Sequence, residues 1–298
     1  MAAAGVPARP SRRHHARSFA VRRLTRLGHP RLRSLTRRLD GSPVLGAIAT
    51  PALRWLERGE LRVASGLGWG LRMSMAGLSL DHAHLGGFAH GGLESSVQEA
   101  MLRHLPPGGV LFDVGANVGF FALLGARMAG PQGRVFAFEP VGASADAIRR
   151  NAELNGFANL EVIEAAVGAV AGRGRLQVVD DRSWSKLVEY GGHPGVERVV
   201  EVDVVSVDEL VAAERLPAPD VVKIDVEGAE LPVLAGMART AAEHAPAIIC
   251  ELHGTQREFA ALMASWGYRT INLEGTQPVE EAGASAHALA LPPDSMGD

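Results

Sequence analysis

From about residue 94 onward, short and almost unbroken apolar runs alternate with longer stretches whose apolar positions recur every three to four residues. The short runs predict strands buried on both faces, and the longer stretches predict helices laid against them. The pattern opens with a helix over 94–104 and a turn at Pro106-Pro107-Gly108-Gly109, then a strand at Val110–Val114. It continues with a strand from Arg134, a helix over 142–155 and a strand over 160–164. Between 175 and 207 the periodicity becomes extended, with runs at 176–179 and 199–204 flanking a polar loop over 180–197. Alternation then resumes: strand 220–226, helix 229–241, strand 247–252, helix 255–266, and closing strands at 268–273 and 287–291. Such alternation is the signature of an α/β fold with a doubly wound, mostly parallel sheet.

Four segments follow from the same pattern. Residues 1–58 form a basic arm, with Leu24, Leu27, Leu32, Leu35 and Leu39 at helical spacing; residues 59–92 form a small β-rich lead-in; residues 93–291 form the main domain, and 292–298 a tail. The net charge of −3 conceals an asymmetry. Residues 1–40 carry eleven arginines and one aspartate, so the arm is strongly basic and the rest of the chain acidic. The arm reads as a solvated extension, with peripheral contact to an anionic membrane surface as its functional alternative. No apolar run reaches the roughly 18 residues of a membrane span. The single cysteine, Cys250, lies in an apolar strand, which excludes an intrachain disulfide framework and a cysteine-rich metal site. A cytoplasmic location is expected.

Chemistry concentrates where predicted strands end. The first strand runs into Asp113-Val114-Gly115-Ala116-Asn117-Val118-Gly119-Phe120, an acid at the strand's carboxyl end followed by a glycine loop and a helix. Glycines admit close backbone approach to a ligand, and the helix start offers free N–H groups. The spacing is not the Gly-x-Gly-x-x-Gly of a dinucleotide site. The second strand ends in Glu139-Pro140, where a carboxylate can accept both hydroxyls of a ribose. The third ends in Glu164, Ala165 and Ala166, positioned to face a base. Aminoacyl tail, ribose and adenine addressed in that order predict S-adenosylmethionine as cofactor.

A second loaded run is Val221-Val222-Lys223-Ile224-Asp225-Val226-Glu227-Gly228-Ala229-Glu230. Strand alternation puts Lys223 and Asp225 on one face, with Asp225 and Glu227 at the tip. Either the lysine pairs with the carboxylates to fix the turn, or the group works on a substrate. The next strand ends in Glu251-Leu252-His253, and histidine is the side chain suited to proton transfer near neutral pH. The candidate catalytic residues are thus Asp225 and His253 as general base, with Glu227 and Lys223 orienting substrate or loop. Trp184, Lys186 and Tyr190 are candidates for an acceptor lid. His82 and His84 lack a third ligand, and no metal site is read, although a divalent cation bridging Asp225 to a diol acceptor is an alternative.

With these residues in hand, the region from about Glu94 to Leu273 resembles the FkbM-type family of S-adenosylmethionine-dependent methyltransferases. The resemblance is carried by Gly92-Leu93-Glu94, the Asp113–Gly119 loop, Phe138-Glu139-Pro140, the Lys223–Glu230 run and Glu251-Leu252-His253. It implies a class I, Rossmann-like fold with a seven-stranded sheet, a cofactor site including Glu94 and Asp225, and O-methylation of a small molecule, sugar or lipid-linked glycan. Leu93 stands where the family has an aromatic residue, and the arginine-rich arm lies outside the pattern. Two rival readings differ in class. One is a nucleic-acid methyltransferase or binding protein gripping through the arm. The acidic main domain and the absence of an Asn-Pro-Pro or Asp-Pro-Pro aromatic motif count against it. The other is a catalytically inactive, membrane-associated protein of the same fold.

Overall fold

The computed structural model describes residues 60–74, 91–179, 186–187 and 196–293. The basic arm, His82, His84, Trp184 and Tyr190 lie outside the described residues, as does the side chain of Lys186.

Seven strands form the central sheet: β3 (Val110–Val114), β4 (Arg134–Phe138), β5 (Leu160–Ile163), β10 (Val221–Ile224), β11 (Ala247–His253), β12 (Arg269–Asn272) and β13 (Ser285–Leu291). Their order is β12-β13-β11-β10-β3-β4-β5, and only β13 runs antiparallel to its neighbours. The chain steps outward from β3 to β4 and β5, then returns to lay β10 on the other side of β3. This reversal opens a crevice beyond the carboxyl ends of β3 and β10. The doubly wound, mostly parallel sheet read from the sequence is the observed architecture.

Alternation along the buried strands divides the core into two layers. Leu111, Val135, Val221 and Ile249 face helices α1 (Ser95–His104) and α2 (Phe120–Ala129). Phe112, Phe136, Val222 and Ile248 face the opposite layer, where Phe259 of α7 (Gln256–Ser265) is fully buried. Phe112 meets Phe136 and Phe138 edge-on, each with ring centroids 5.5 Å apart, the offset geometry aromatic rings prefer. On the outer edge, α3 (Gly142–Asn155) covers β4 and β5 and ends at Gly156 in the left-handed conformation.

Two local outcomes differ from the sequence expectation. The predicted 229–241 helix is two helices, α5 (Glu230–Ala235) and α6 (Ala238–His244). They part at Gly236, whose backbone presses on Gly168 and whose carbonyl accepts hydrogen bonds from Ser206 Oγ and Asp208 N. A side chain there would come within 2.1 Å of the Gly168 carbonyl oxygen, so tertiary contact overrides the helical periodicity. The 176–204 region is a sheet of its own, in order β6-β9-β7-β8, dominated by the long antiparallel pair β7 (Gly172–Val179) and β9 (Val196–Val205). Short strands β6 (Ala166–Val167) and β8 (Lys186–Leu187) complete it. The α4 helix (Val207–Ala212) then leads back to the central sheet.

In the lead-in, the described residues include a short hairpin, β1 (Glu60–Arg62) with β2 (Arg72–Ser74). Its free edge is closed by α3 side chains. Asn155 accepts from Arg72 N at 2.9 Å and donates to Arg72 O at 2.7 Å, and Asn151 accepts from Ser74 N at 2.6 Å. Two helix asparagines thus act as a surrogate strand. Asn155→Ala, which strands the Arg72 backbone groups, is expected to lower stability by about 1–3 kcal/mol. Urea denaturation would show this as a lower midpoint with an unchanged slope.

Candidate active site

The loop after β3 is shaped by contact with the loop after β10. Gly115 sits at φ +79°, and a methyl group on it would come within 1.8 Å of the Asp225 carbonyl oxygen. The two strand tips therefore touch through backbone, and only glycine fits between them. Gly115 N and Ala116 N both donate to Phe138 O of β4, tying the loop to the third tip as well. Asn117 adopts a left-handed φ of +52°, and Gly119 caps α2 at +85°. Asn117 N donates to Glu139 Oε2 and Val141 N to Glu139 Oε1, both at 2.8 Å, so Glu139 is fixed by two backbone amides. Burial nevertheless pushes the Glu139 carboxyl up to about 7, against the pull of those amides.

Beneath this loop lies an ion cluster that strand register creates. Lys223 of β10 is paired with Asp113 of β3, and both side chains are buried. Lys223 Nζ lies 3.8 Å from Asp113 Oδ1, 3.2 Å from Asp225 Oδ2 and 4.8 Å from the centre of the Phe121 ring. Burial alone would lower the lysine, but the charges of Asp225 and Asp113 outweigh it and raise its pKa. Burial raises Asp113, and it carries Asp225 up to about 6 although Lys223 opposes the shift.

A histidine–carboxylate cluster continues along the same face of the sheet, since Glu251 and His253 alternate with the buried Cys250 and Leu252. His253 Nδ1 lies 2.8 Å from Oε1 of the fully buried Glu230, and its Nε2 faces Glu227 Oε2 at 3.3 Å and Glu251 Oε1 at 3.5 Å. Burial disfavours its charged form, yet Glu230, Glu251 and Glu227 prevail and push His253 up to about 10. The other oxygen of Glu251 lies 3.5 Å from His287 Nε2, and Glu251 itself is held well below the usual carboxylate range despite burial, because two histidines flank it. Glu227 takes a left-handed φ of +53°, a conformation that costs a non-glycine residue about 1–3 kcal/mol and gathers at functional sites. Burial pushes its carboxyl up to about 7.

One cleft collects most of the residues singled out from the sequence. Gly115, Asn117, Glu139, Pro140, Ala165, Ala166, Asp225 and Glu227 line it, with Val167 and Leu176 adding an apolar wall from the second sheet. Asp113 and Lys223 lie beneath the tips. Gly119 and Phe120 do not line the cleft: Gly119 packs on Ile148, and Phe120 meets Phe121 edge-on in the core. Glu164 pairs instead with Arg149 at 3.1 Å, and Glu94, at φ +43°, faces His287 Nε2 at 3.1 Å. The sequence reading missed Leu176 as a cleft residue, and Glu230, Glu274 and His287 as partners of the ionic cluster. Glu230 ends the Lys223–Glu230 run, whereas no local motif marks Leu176, Glu274 or His287, although an otherwise apolar stretch interrupted by His287 was a usable signal.

A seven-stranded sheet whose loaded tips flank its switch point defines a Rossmann-like protein of the class I methyltransferase type. Residues 113–270 match the model of the methyltransferase FkbM domain, and the chain belongs to that family. It is 34% identical over 161 residues to the hexuronic acid methyltransferase AglP of Haloferax volcanii, covering 54% of this chain and 62% of that protein. It is 30% identical over 222 residues to the 31-O-demethyl-FK506 methyltransferase FkbM of Streptomyces tacrolimicus, covering 63% of this chain and 84% of that protein. The chain thus spans less than two thirds of the length of the first of these relatives. Among solved structures, methyltransferase FkbM from Methylobacillus flagellatus superposes with a TM-score of 0.42 at 17% identity, covering 72% of this chain and 56% of that one. Among the described residues, no helix is long and apolar enough to cross a membrane.

Lys223→Met would leave Asp113 and Asp225 buried without their cation. It is expected to destabilise the fold by about 3–5 kcal/mol at neutral pH, and by less at pH 5, where Asp225 gains a proton. Thermal unfolding at the two pH values checks both parts.

Proposed function

We propose that the protein is an S-adenosylmethionine-dependent O-methyltransferase acting on a hydroxyl of a sugar, a lipid-linked glycan or another small polyhydroxylated molecule. The observation that carries this reading is the cleft itself, in which Asn117, Glu139 and Asp225 converge from three strand tips around a backbone that only glycine permits. The residues fit the cofactor. Asn117 lines the cleft and its Oδ1 is buried without a hydrogen-bond partner, so an acceptor is available there for an ammonium group. Glu139 has lone pairs left beyond its two amides for a ribose diol. Ala165, Ala166, Val167 and Leu176 offer an apolar wall for adenine. The activities named for the Haloferax and Streptomyces relatives, on a hexuronic acid and on a demethylated FK506, support a hydroxyl-bearing acceptor.

When bound, S-adenosylmethionine supplies an electrophilic methyl group on a sulfonium. The chain's own task is to position the acceptor oxygen and receive its proton. His253 has Nδ1 on Glu230 and Nε2 between Glu227 and Glu251, and these carboxylates push it up to about 10, which favours a fixed imidazolium over a base at this position. Asp225, at about 6 and lining the cleft, is the general base, with Lys223 keeping it ionised. Glu227, ion-paired to His253, orients that imidazolium.

Asp225→Asn is expected to lower kcat by roughly 10²–10⁴-fold. For the native enzyme, kcat/KM should rise with pH through about 6 and then level off, as the Asp225 carboxylate forms. A profile that instead falls with deprotonation near 6 would reverse the assignment. Cofactor binding has a separate signature. Because the Glu139 carboxyl titrates near 7, affinity for S-adenosylmethionine should weaken below neutral pH, and Glu139→Gln should be weak at every pH. Calorimetric titration with S-adenosylmethionine, S-adenosylhomocysteine and NAD tests the whole reading. It requires binding of the first two and not the third.

A further inference from the structure

We propose that Glu94, Glu251 and His287 form a binding site for a divalent first-row transition-metal ion, beside the cofactor cleft and separate from it. The three side chains come from different elements: the residue capping α1, the end of β11 and the start of β13. Antiparallel pairing sets Glu251 directly opposite His287, which puts both on the same face of the sheet. One ligand atom from each of the three residues lies within 4.8 Å of the others.

The second observation concerns the imidazole. The His287 side chain is only 7% exposed, and its Nε2 makes no well-aligned hydrogen bond, nor does Glu94 Oε2, although the two atoms lie 3.1 Å apart. The other ring nitrogen, Nδ1, lies 2.5 Å from Glu274 Oε1. A carboxylate on Nδ1 fixes the ring orientation, the support that metal-bound histidines commonly have, and a metal ion would take the place of the proton on Nε2. A single proton on Nε2 could serve only one of the two carboxylates it faces, at 3.1 Å (Glu94) and 3.5 Å (Glu251). One metal ion satisfies all three groups at once. An imidazole with two carboxylates suits zinc, manganese or iron, whereas magnesium prefers an all-oxygen shell. Three protein ligands leave coordination positions for water or an acceptor hydroxyl. The remaining oxygen of Glu251 contacts His253, so the ion would also fix the acceptor side of the cleft.

The inference does not depend on methyl transfer and is tested without it. The full-length protein, stripped with EDTA and dialysed, is titrated calorimetrically with Zn²⁺, Mn²⁺ and Mg²⁺. The expected result is one Zn²⁺ or Mn²⁺ per chain, with Mg²⁺ bound far more weakly. His287→Ala should abolish this binding, and Glu274→Gln should weaken it by about 10–100-fold. Circular dichroism verifies the fold of each variant, and Glu94→Gln replaces His287→Ala if the latter does not fold. Absence of Zn²⁺ and Mn²⁺ binding by the native chain, or binding unchanged by these substitutions, overturns the site. Metal binding without any binding of S-adenosylmethionine would instead leave the site standing and remove the proposed cofactor.

Discussion

The buried ammonium of Lys223 is the interaction on which the rest of the structure depends. A lysine in the middle of a central strand is tolerated only if carboxylates meet it, because an unpaired buried charge costs several kcal/mol. Strand register supplies Asp113 beside it, and the strand's own alternation supplies Asp225 one step toward the tip. Those contacts fix β10 against β3 in a single register. A slip of one residue would turn Lys223 into the apolar layer formed by Phe112, Phe136 and Val222. With the register set, Gly115 meets the Asp225 backbone, and the cleft has its floor.

From that centre the polar groups extend outward on one face of the sheet. Lys223 and the two aspartates lie innermost, His253 with Glu227 and Glu230 comes next, and His287 with Glu94 and Glu274 is outermost. Glu251 joins the last two groups by giving one oxygen to each histidine. Apolar packing cannot account for so many ionisable groups at partial or full burial. The fold carries their desolvation because each charge has an opposite neighbour and the two core layers are otherwise apolar. The result is a region of fixed charge beside a cleft with one apolar wall.

The second sheet has a different role. Its β7–β9 pair carries Leu176 to the mouth of the cleft, packed with Val141, Ala166, Val178 and Val202. An element inserted between the fifth and tenth strands thereby helps to form the wall opposite the charged face. Varying such an insert changes what the cleft admits without disturbing the register of the central strands.

Much of this was legible in the sequence. Period-two alternation and short apolar runs determined the strands, because each buries both faces and admits polar residues chiefly at its end. The glycine loop, Glu139 and the Lys223–Glu230 run were recognisable because their chemistry is local and each stands at a strand's carboxyl end. Tertiary structure alone decided which tips meet. His287 and Glu251 are 36 residues apart and become neighbours only through antiparallel pairing. The outward turn of Glu164 depends on Arg149, and the break at Gly236 depends on contact with Gly168. The surroundings of His253 likewise depend on Glu227 and Glu230, which only packing brings to its ring beside the local Glu251. Local pattern specifies elements because hydrogen bonding and burial act over a few residues. Electrostatics and cleft shape depend on distances that exist only once those elements are packed.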